Sequence, residues 1–281
     1  MREINSREIT RTVASLFYRA NYHLADDVLE AIKKSLLKEE SPVARRVLEQ
    51  IICNAEIAAE EKVPLCQDCG IAVVFVELGQ DIHITGGDLI HAVNEGVIQA
   101  YRDGYLRKSM VKNPFSKRQN TGDNTPAVVH VEIVPGEQMR IIALPKGGGA
   151  ENMSRLIMLT PADGRNGIIK SVVKTVDEAG PNPCGPVIVG VGIGGTAEKT
   201  MLMAKKALIR KVGEHHSDPE VASLEEEILA RINALGIGPM GYGGRTTALA
   251  VHIEVFPAHI ASLPVAVNLN CHSARHVEAI L

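Results

Sequence analysis

Apolar residues recur at helical spacing through the first sixty positions. Val13, Leu16, Phe17 and Ala20 share one face, Val28, Leu29, Ile32 and Leu36 a second, and Val43, Val47, Ile51 and Ile52 a third, so residues 6–62 read as helical. Ser41-Pro42 has the form of an N-cap followed by proline at the first helical position, and Pro64 ends the run. The pattern then changes. Residues 71–78, Ile-Ala-Val-Val-Phe-Val-Glu-Leu, are apolar and rich in β-branched side chains, which predicts a buried strand. Gly86-Gly87-Asp88 opens a helix to about residue 102, followed by a basic loop, Leu106-Arg107-Lys108-Ser109. Runs 126–134 and 138–144 read as strands joined in a hairpin by Pro135-Gly136-Glu137. Further on, the spacing predicts helices over 161–179, 196–211 and 218–235 and strands over 186–193, 246–256 and 263–269. The expected fold class is α/β mixed (α+β): a helical N-terminal region, 1–62, then mixed sheets flanked by helices over 63–281, all in one domain.

Composition narrows the function. With 281 residues, 45% hydrophobic and 22% charged, the chain has material for a sizeable core. A net charge of −3, 3% aromatics and no Trp supply neither a basic field nor stacking platforms, so no nucleic acid is expected as partner. No apolar run approaches the roughly 20 residues of a membrane helix, and the start, Met-Arg-Glu-Ile-Asn-Ser-Arg-Glu, has no signal-peptide core. A cytoplasmic location without membrane contact is the expectation.

Five cysteines are an odd count, which points away from a disulfide scaffold and toward metal or redox chemistry. Cys53 reads as a buried helical thiol. Three others lie at turns: Cys66 in Pro-Leu-Cys-Gln-Asp-Cys-Gly, Cys184 in Gly-Pro-Asn-Pro-Cys-Gly-Pro, and Cys271 in Asn-Leu-Asn-Cys-His-Ser. A thiol in such a turn is well placed to ligate a guest, because the backbone can be shaped around it. The expectation is that these three converge on one iron–sulfur cluster, with Asp68 beside it as a proton-transfer group.

Other motifs compete. Gly190-Val-Gly192-Ile-Gly194-Gly195 satisfies GxGxxG between a strand and a helix, but no second strand ending in an acid follows. An anion site at the helix start and plain tight packing both stay open. Lys146-Gly147-Gly148-Gly149 suits either an anion cradle or a flexible turn. Cys66-Gln-Asp-Cys69 alone is compatible with a zinc-bound or dithiol module. His259, in a loop after Phe256-Pro257, is a candidate substrate contact.

Taken in order, Pro-Leu-Cys66-Gln67-Asp68, Leu106-Arg107-Lys108-Ser109, Lys146-Gly-Gly-Gly149, Gly-Pro-Asn-Pro-Cys184-Gly-Pro and Asn-Cys271-His272 resemble the class I (iron–sulfur) fumarate hydratases. The chain is more closely similar to the alpha subunit of the two-subunit forms, which include L-tartrate dehydratase, over essentially its whole length. The resemblance implies that Cys66, Cys184 and Cys271 hold a [4Fe–4S] cluster whose fourth iron stays open. It places Gln67, Asp68, Arg107, Gly149 and His259 at substrate-binding positions, with Asp68 in proton transfer. The family draws a threonine base, arginines and a lysine from a second region, here expected on a separate beta subunit in an α2β2 assembly. The implied activity is reversible hydration of fumarate to (S)-malate, a tricarboxylic acid cycle reaction, with L-tartrate dehydration as the alternative substrate reading. Two positions depart from the family pattern: Cys69 replaces a threonine, and Ala150 stands where serine is expected.

Overall fold

The computed structural model describes residues 2–281. In chain order the elements are β1 (Arg2–Asn5), α1 (Ser6–Tyr22), α2 (Asp26–Lys38), α3 (Pro42–Glu61), β2 (Ile71–Gly79), β3 (Ile82–Thr85), α4 (Leu89–Asp103), β4 (Val128–Val134) and β5 (Met139–Lys146). There follow α5 (Gly148–Glu151), β6 (Arg155–Leu159), α6 (Gly164–Ala179), β7 (Val187–Gly194), α7 (Ala197–Ala207), α8 (Pro219–Asn233), β8 (Ala248–Phe256), β9 (Leu263–Asn270) and β10 (Val277–Ile280). The mixed α/β class is as expected. Helical spacing placed the N-terminal helices and Pro42 starts α3, but β1 precedes them and the region breaks twice. The chain divides into two compact units.

The first unit comprises the chain up to Ala25, Ala55–Gly148 and Arg275–Leu281. Its main sheet has the order β10-β5-β2-β4. β2 carries five consecutive buried residues, Ala72 to Val76, and so takes an interior place, antiparallel to β5 and parallel to β4. This corrects the expected hairpin: β4 and β5 are not paired with each other, because each bonds to the apolar strand between them. The Pro135-Gly136 turn bonds instead just beyond β2, where Asp81 N–H donates to the Gly136 carbonyl. Helix α1 packs Ile9, Val13, Leu16 and Phe17 against Val93, Val97 and Tyr101 of α4 and against β5.

The second unit comprises Asp26–Asn54 and Gly149–Ala274, with sheet order β6-β9-β7-β8. β7 is buried along its whole length, parallel to β8 and antiparallel to β9. Val189, Val191, Val251, Ile253, Val265 and Val267 meet apolar side chains of α6 and α8, including Val172 and Ile228. The thiol of Cys53 is exposed, not buried, because it falls on the outer face of α3.

The glycines of the GxGxxG motif serve packing. A Cβ at Gly190 would overlap the Ala204 carbonyl, one at Gly192 the Thr200 carbonyl, and one at Gly194 the Phe256 carbonyl. Glycine lets α7 lie directly on β7. Gly192→Ala should therefore destabilise the chain by about 1–3 kcal/mol, read as a lower denaturation midpoint; an unchanged midpoint would contradict this packing.

Candidate functional site

The turn from Leu65 to Gly70 is held from several sides within the first unit. Leu65 N–H donates to the Asn21 carbonyl at 2.8 Å. The buried Tyr101 hydroxyl donates to the Cys69 carbonyl at 2.6 Å and lies 3.1 Å from that of Gly70. Asn124, fully buried, donates its amide to the Gly70 carbonyl at 3.1 Å and accepts Ser109 N–H at 2.7 Å and Met110 N–H at 3.2 Å. Gly70 has a φ of +77°, and a Cβ there would lie 2.7 Å from Lys146 N, so only glycine fits.

These bonds fix the chemistry-bearing side chains. Asp68 accepts Gly70 N–H at Oδ1, 2.9 Å, and Gly148 N–H at Oδ2, 2.7 Å, so both carboxylate oxygens are oriented by backbone. One backbone donor of the Lys146-Gly-Gly segment, the Gly148 N–H, thus serves the side chain of Asp68. Cys66 is half-buried; Asp68 N–H points at its Sγ at 3.4 Å, and Gln67 Oε1 lies 3.3 Å from it. Gln67 and Arg107 are exposed.

Two cations are buried beside this turn. Lys146 is 0% exposed, and Arg275 is 2% exposed with Nη1 donating to Asn21 Oδ1 at 3.0 Å. Burial pushes the Cys69 thiol above its ordinary range, opposed by the Arg107 N–H and the charge of Arg275. Burial likewise raises Tyr101, keeping its hydroxyl a donor. Sequence patterns did not single out Asn21, Tyr101, Asn124 or Arg275. Tyr101 falls on an apolar helical stripe, and Arg275 gives no signal except its place four residues after Cys271.

In the second unit, Cys184 has a φ of +55° and donates its N–H to the Pro181 carbonyl. Its own carbonyl accepts His272 N–H at 3.1 Å and lies 2.9 Å from His272 Nδ1. Pairing of Ile188 with Asn270 sets Cys184, before β7, and Cys271, after β9, at the same end of the sheet. Gly149 joins them: a Cβ there would lie 3.0 Å from the Asn182 carbonyl.

His259 is elsewhere. It lies in the exposed loop between β8 and β9, at the end of the sheet where Gly194 pairs with Phe256. A strand the length of β7, at roughly 3.3 Å per residue, puts it roughly 25 Å from the Cys184 end. Within this unit the structure gathers Cys184, Cys271 and Gly149 and separates His259 from them. Within the first unit it gathers Cys66, Gln67, Asp68 and Arg107. Among the described residues, no three or more His, Cys, Asp or Glu side chains group as ligands of a single metal ion. A cluster differs from such an ion in binding each cysteine through a separate iron.

A family model described as fumarate hydratase (fumerase) matches residues 10–280. The chain belongs to this family of iron–sulfur hydro-lyases. It is 43% identical over 273 residues to a Methanocaldococcus jannaschii protein provisionally named L(+)-tartrate dehydratase subunit alpha, covering 95% of each chain. It is 30% identical over 270 residues to the L(+)-tartrate dehydratase subunit alpha of Escherichia coli K12 and to that of Shigella sonnei, covering 95% of this chain and 89% of theirs.

The Tyr101 hydroxyl should matter through the turn it holds. Tyr101→Phe leaves the Cys69 carbonyl without this donor, while Gly70 keeps Asn124, and should cost about 1–3 kcal/mol in chemical denaturation of the full chain. No change would show that the turn is held without it.

Proposed function

We propose that this chain is the alpha subunit of a two-subunit iron–sulfur hydro-lyase, acting as a single domain over 1–281 to hydrate fumarate reversibly to (S)-malate. The observation that carries this reading is the family match over residues 10–280, which spans all five motifs that include Cys66-Gln67-Asp68, Cys184 and Cys271. A beta subunit completes the site, as the alpha-subunit names of the relatives suggest, and the proposed assembly is α2β2. No helix among the described residues is long and apolar enough to cross a membrane; the proposed setting is the cytoplasm, within the tricarboxylic acid cycle.

The donor set fits an iron–sulfur group. Soft thiolates suit iron–sulfur clusters, each of the three cysteines is half-buried, and the Asp68 N–H aimed at Cys66 Sγ is the kind of donor that stabilises a ligating sulfur. Cys66, Cys184 and Cys271 would hold the [4Fe–4S] cluster, and that all three meet at one cluster rests on the family resemblance. When bound, the cluster supplies an open iron that acts as a Lewis acid on a hydroxyl leaving group.

The chain's own residues do the rest. The exposed Arg107 guanidinium grips a substrate carboxylate and stabilises the negative charge that develops when the neighbouring carbon loses its proton. Gln67 and the Gly149 backbone orient the same dicarboxylate. Asp68, held at both oxygens, exchanges a proton at Oδ1 or Oδ2 without having to reorganise. His259, at the far end of its own sheet, contributes its substrate contact to the site of a second copy in the assembly.

A second reading, L-tartrate dehydration, is favoured by the names of the relatives. Both substrates are four-carbon dicarboxylates and call on the same grips. Anaerobic turnover of fumarate, (S)-malate and L-tartrate by the co-expressed pair decides between them, and turnover of none would sink the hydro-lyase reading. Asp68→Asn should keep the cluster yet slow turnover by about a hundredfold or more. The new amide would also face one of two backbone N–H donors, so part of the loss is orientation. Near-native turnover in the Asp68→Asn variant would remove Asp68 from proton transfer.

A further inference from the structure

Cys69 stands where the resemblance led to a threonine, and its thiol lies between two groups of the proposed site. The Arg107 backbone N–H donates to Cys69 Sγ at 3.2 Å, and the Cys69 thiol in turn points at the Cys66 carbonyl at 3.6 Å. Cys69 is 1% exposed, and its carbonyl is held by Tyr101. The sulfur is therefore fixed in place.

The loop that carries Arg107 is anchored on both flanks. Leu106 is buried at 1% exposed, and Ser109 and Met110 bond to Asn124. Tyr105 takes a φ of +50°, which turns the chain into the loop. At Arg107 itself the side chain is exposed, and the backbone bond to Cys69 ties the residue to the Cys66 turn.

We propose that Cys69 is a positioning residue: its sulfur holds the Arg107 backbone, and so aims the guanidinium at the substrate carboxylate, while cluster ligation stays with Cys66. The proposal rests on the reading of Arg107 given above. It also accounts for the departure from threonine. A thiol and a hydroxyl can each accept one N–H and donate to one carbonyl, so cysteine and threonine satisfy the same two partners. Valine has the shape of threonine and can satisfy neither.

The test compares Cys69→Thr and Cys69→Val in the full chain and in the reconstituted two-subunit enzyme. In the valine variant the Arg107 amide should exchange with deuterium about tenfold faster, the effect of losing one hydrogen bond. KM for the dicarboxylate should rise through the lost grip and kcat should fall through the lost charge stabilisation, so that kcat/KM drops by about tenfold or more, while the visible cluster band should be unchanged. The threonine variant should restore exchange and KM. Equal exchange in the valine and threonine variants would overturn the sulfur's hold on Arg107. Loss of the cluster band in the threonine variant would overturn the division of labour and make Cys69 a ligand. Faster exchange in the valine variant with an unaltered KM would overturn the substrate role of Arg107 while leaving the backbone hold intact.

Discussion

Buried hydrogen bonds to the carbonyls of Cys69 and Gly70 are what the chemistry of the first unit depends on. A backbone carbonyl cut off from water must find a donor inside the protein. Tyr101 and Asn124 supply these donors from α4 and from the loop after it. With the carbonyls held, the remaining groups of the turn have little freedom. Gly70 N–H returns to Asp68, Asp68 N–H faces Cys66 Sγ, and Gly148 N–H closes the second carboxylate oxygen. The acid and the thiol are thus oriented by one short segment. Asn124 also receives the loop beyond Arg107, so the turn and the Arg107 loop share an anchor.

The second unit reaches a comparable result by sheet pairing. Register between β7 and β9 brings the Cys184 and Cys271 turns to one end of the sheet, and His272 locks them by bonding to the Cys184 carbonyl. Glycine packing under α7 keeps β7 wholly buried, so this end is fixed to the core of its unit. The same register puts His259 at the other end. Within the second unit, His259 and the Cys184 and Cys271 turns therefore lie at opposite ends of one sheet.

Much of the fold was legible because the patterns are local. Helical spacing placed α1, α2 and α3, Asp88 opens α4 as its position suggested, Asp218 caps α8, and β2, β7, β8 and β9 follow from apolar runs. The hairpin was misread because strand runs and a Pro-Gly turn specify strands but not partners, and β2 competed better for both. Short elements such as β3, β6 and β10 carry too few residues to show a period. Of the site, Cys66, Asp68, Cys184 and Cys271 stood out because turn chemistry surrounds them. Tyr101, Asn124 and Arg275 did not, since what they do depends on distant backbone carbonyls and side chains that no local pattern records. Cys53 was misread because its helical neighbours are apolar while its own face is not covered.

The central claim is that three thiols of this chain hold an iron–sulfur cluster beside a backbone-oriented aspartate. Its most direct test is anaerobic reconstitution with iron and sulfide in the presence of the beta subunit, followed by metal analysis and the visible spectrum. The account predicts about four irons per alpha chain with a broad iron–sulfur absorption band, and loss of both in Cys184→Ser. Zinc, or no metal at all under those conditions, would contradict it.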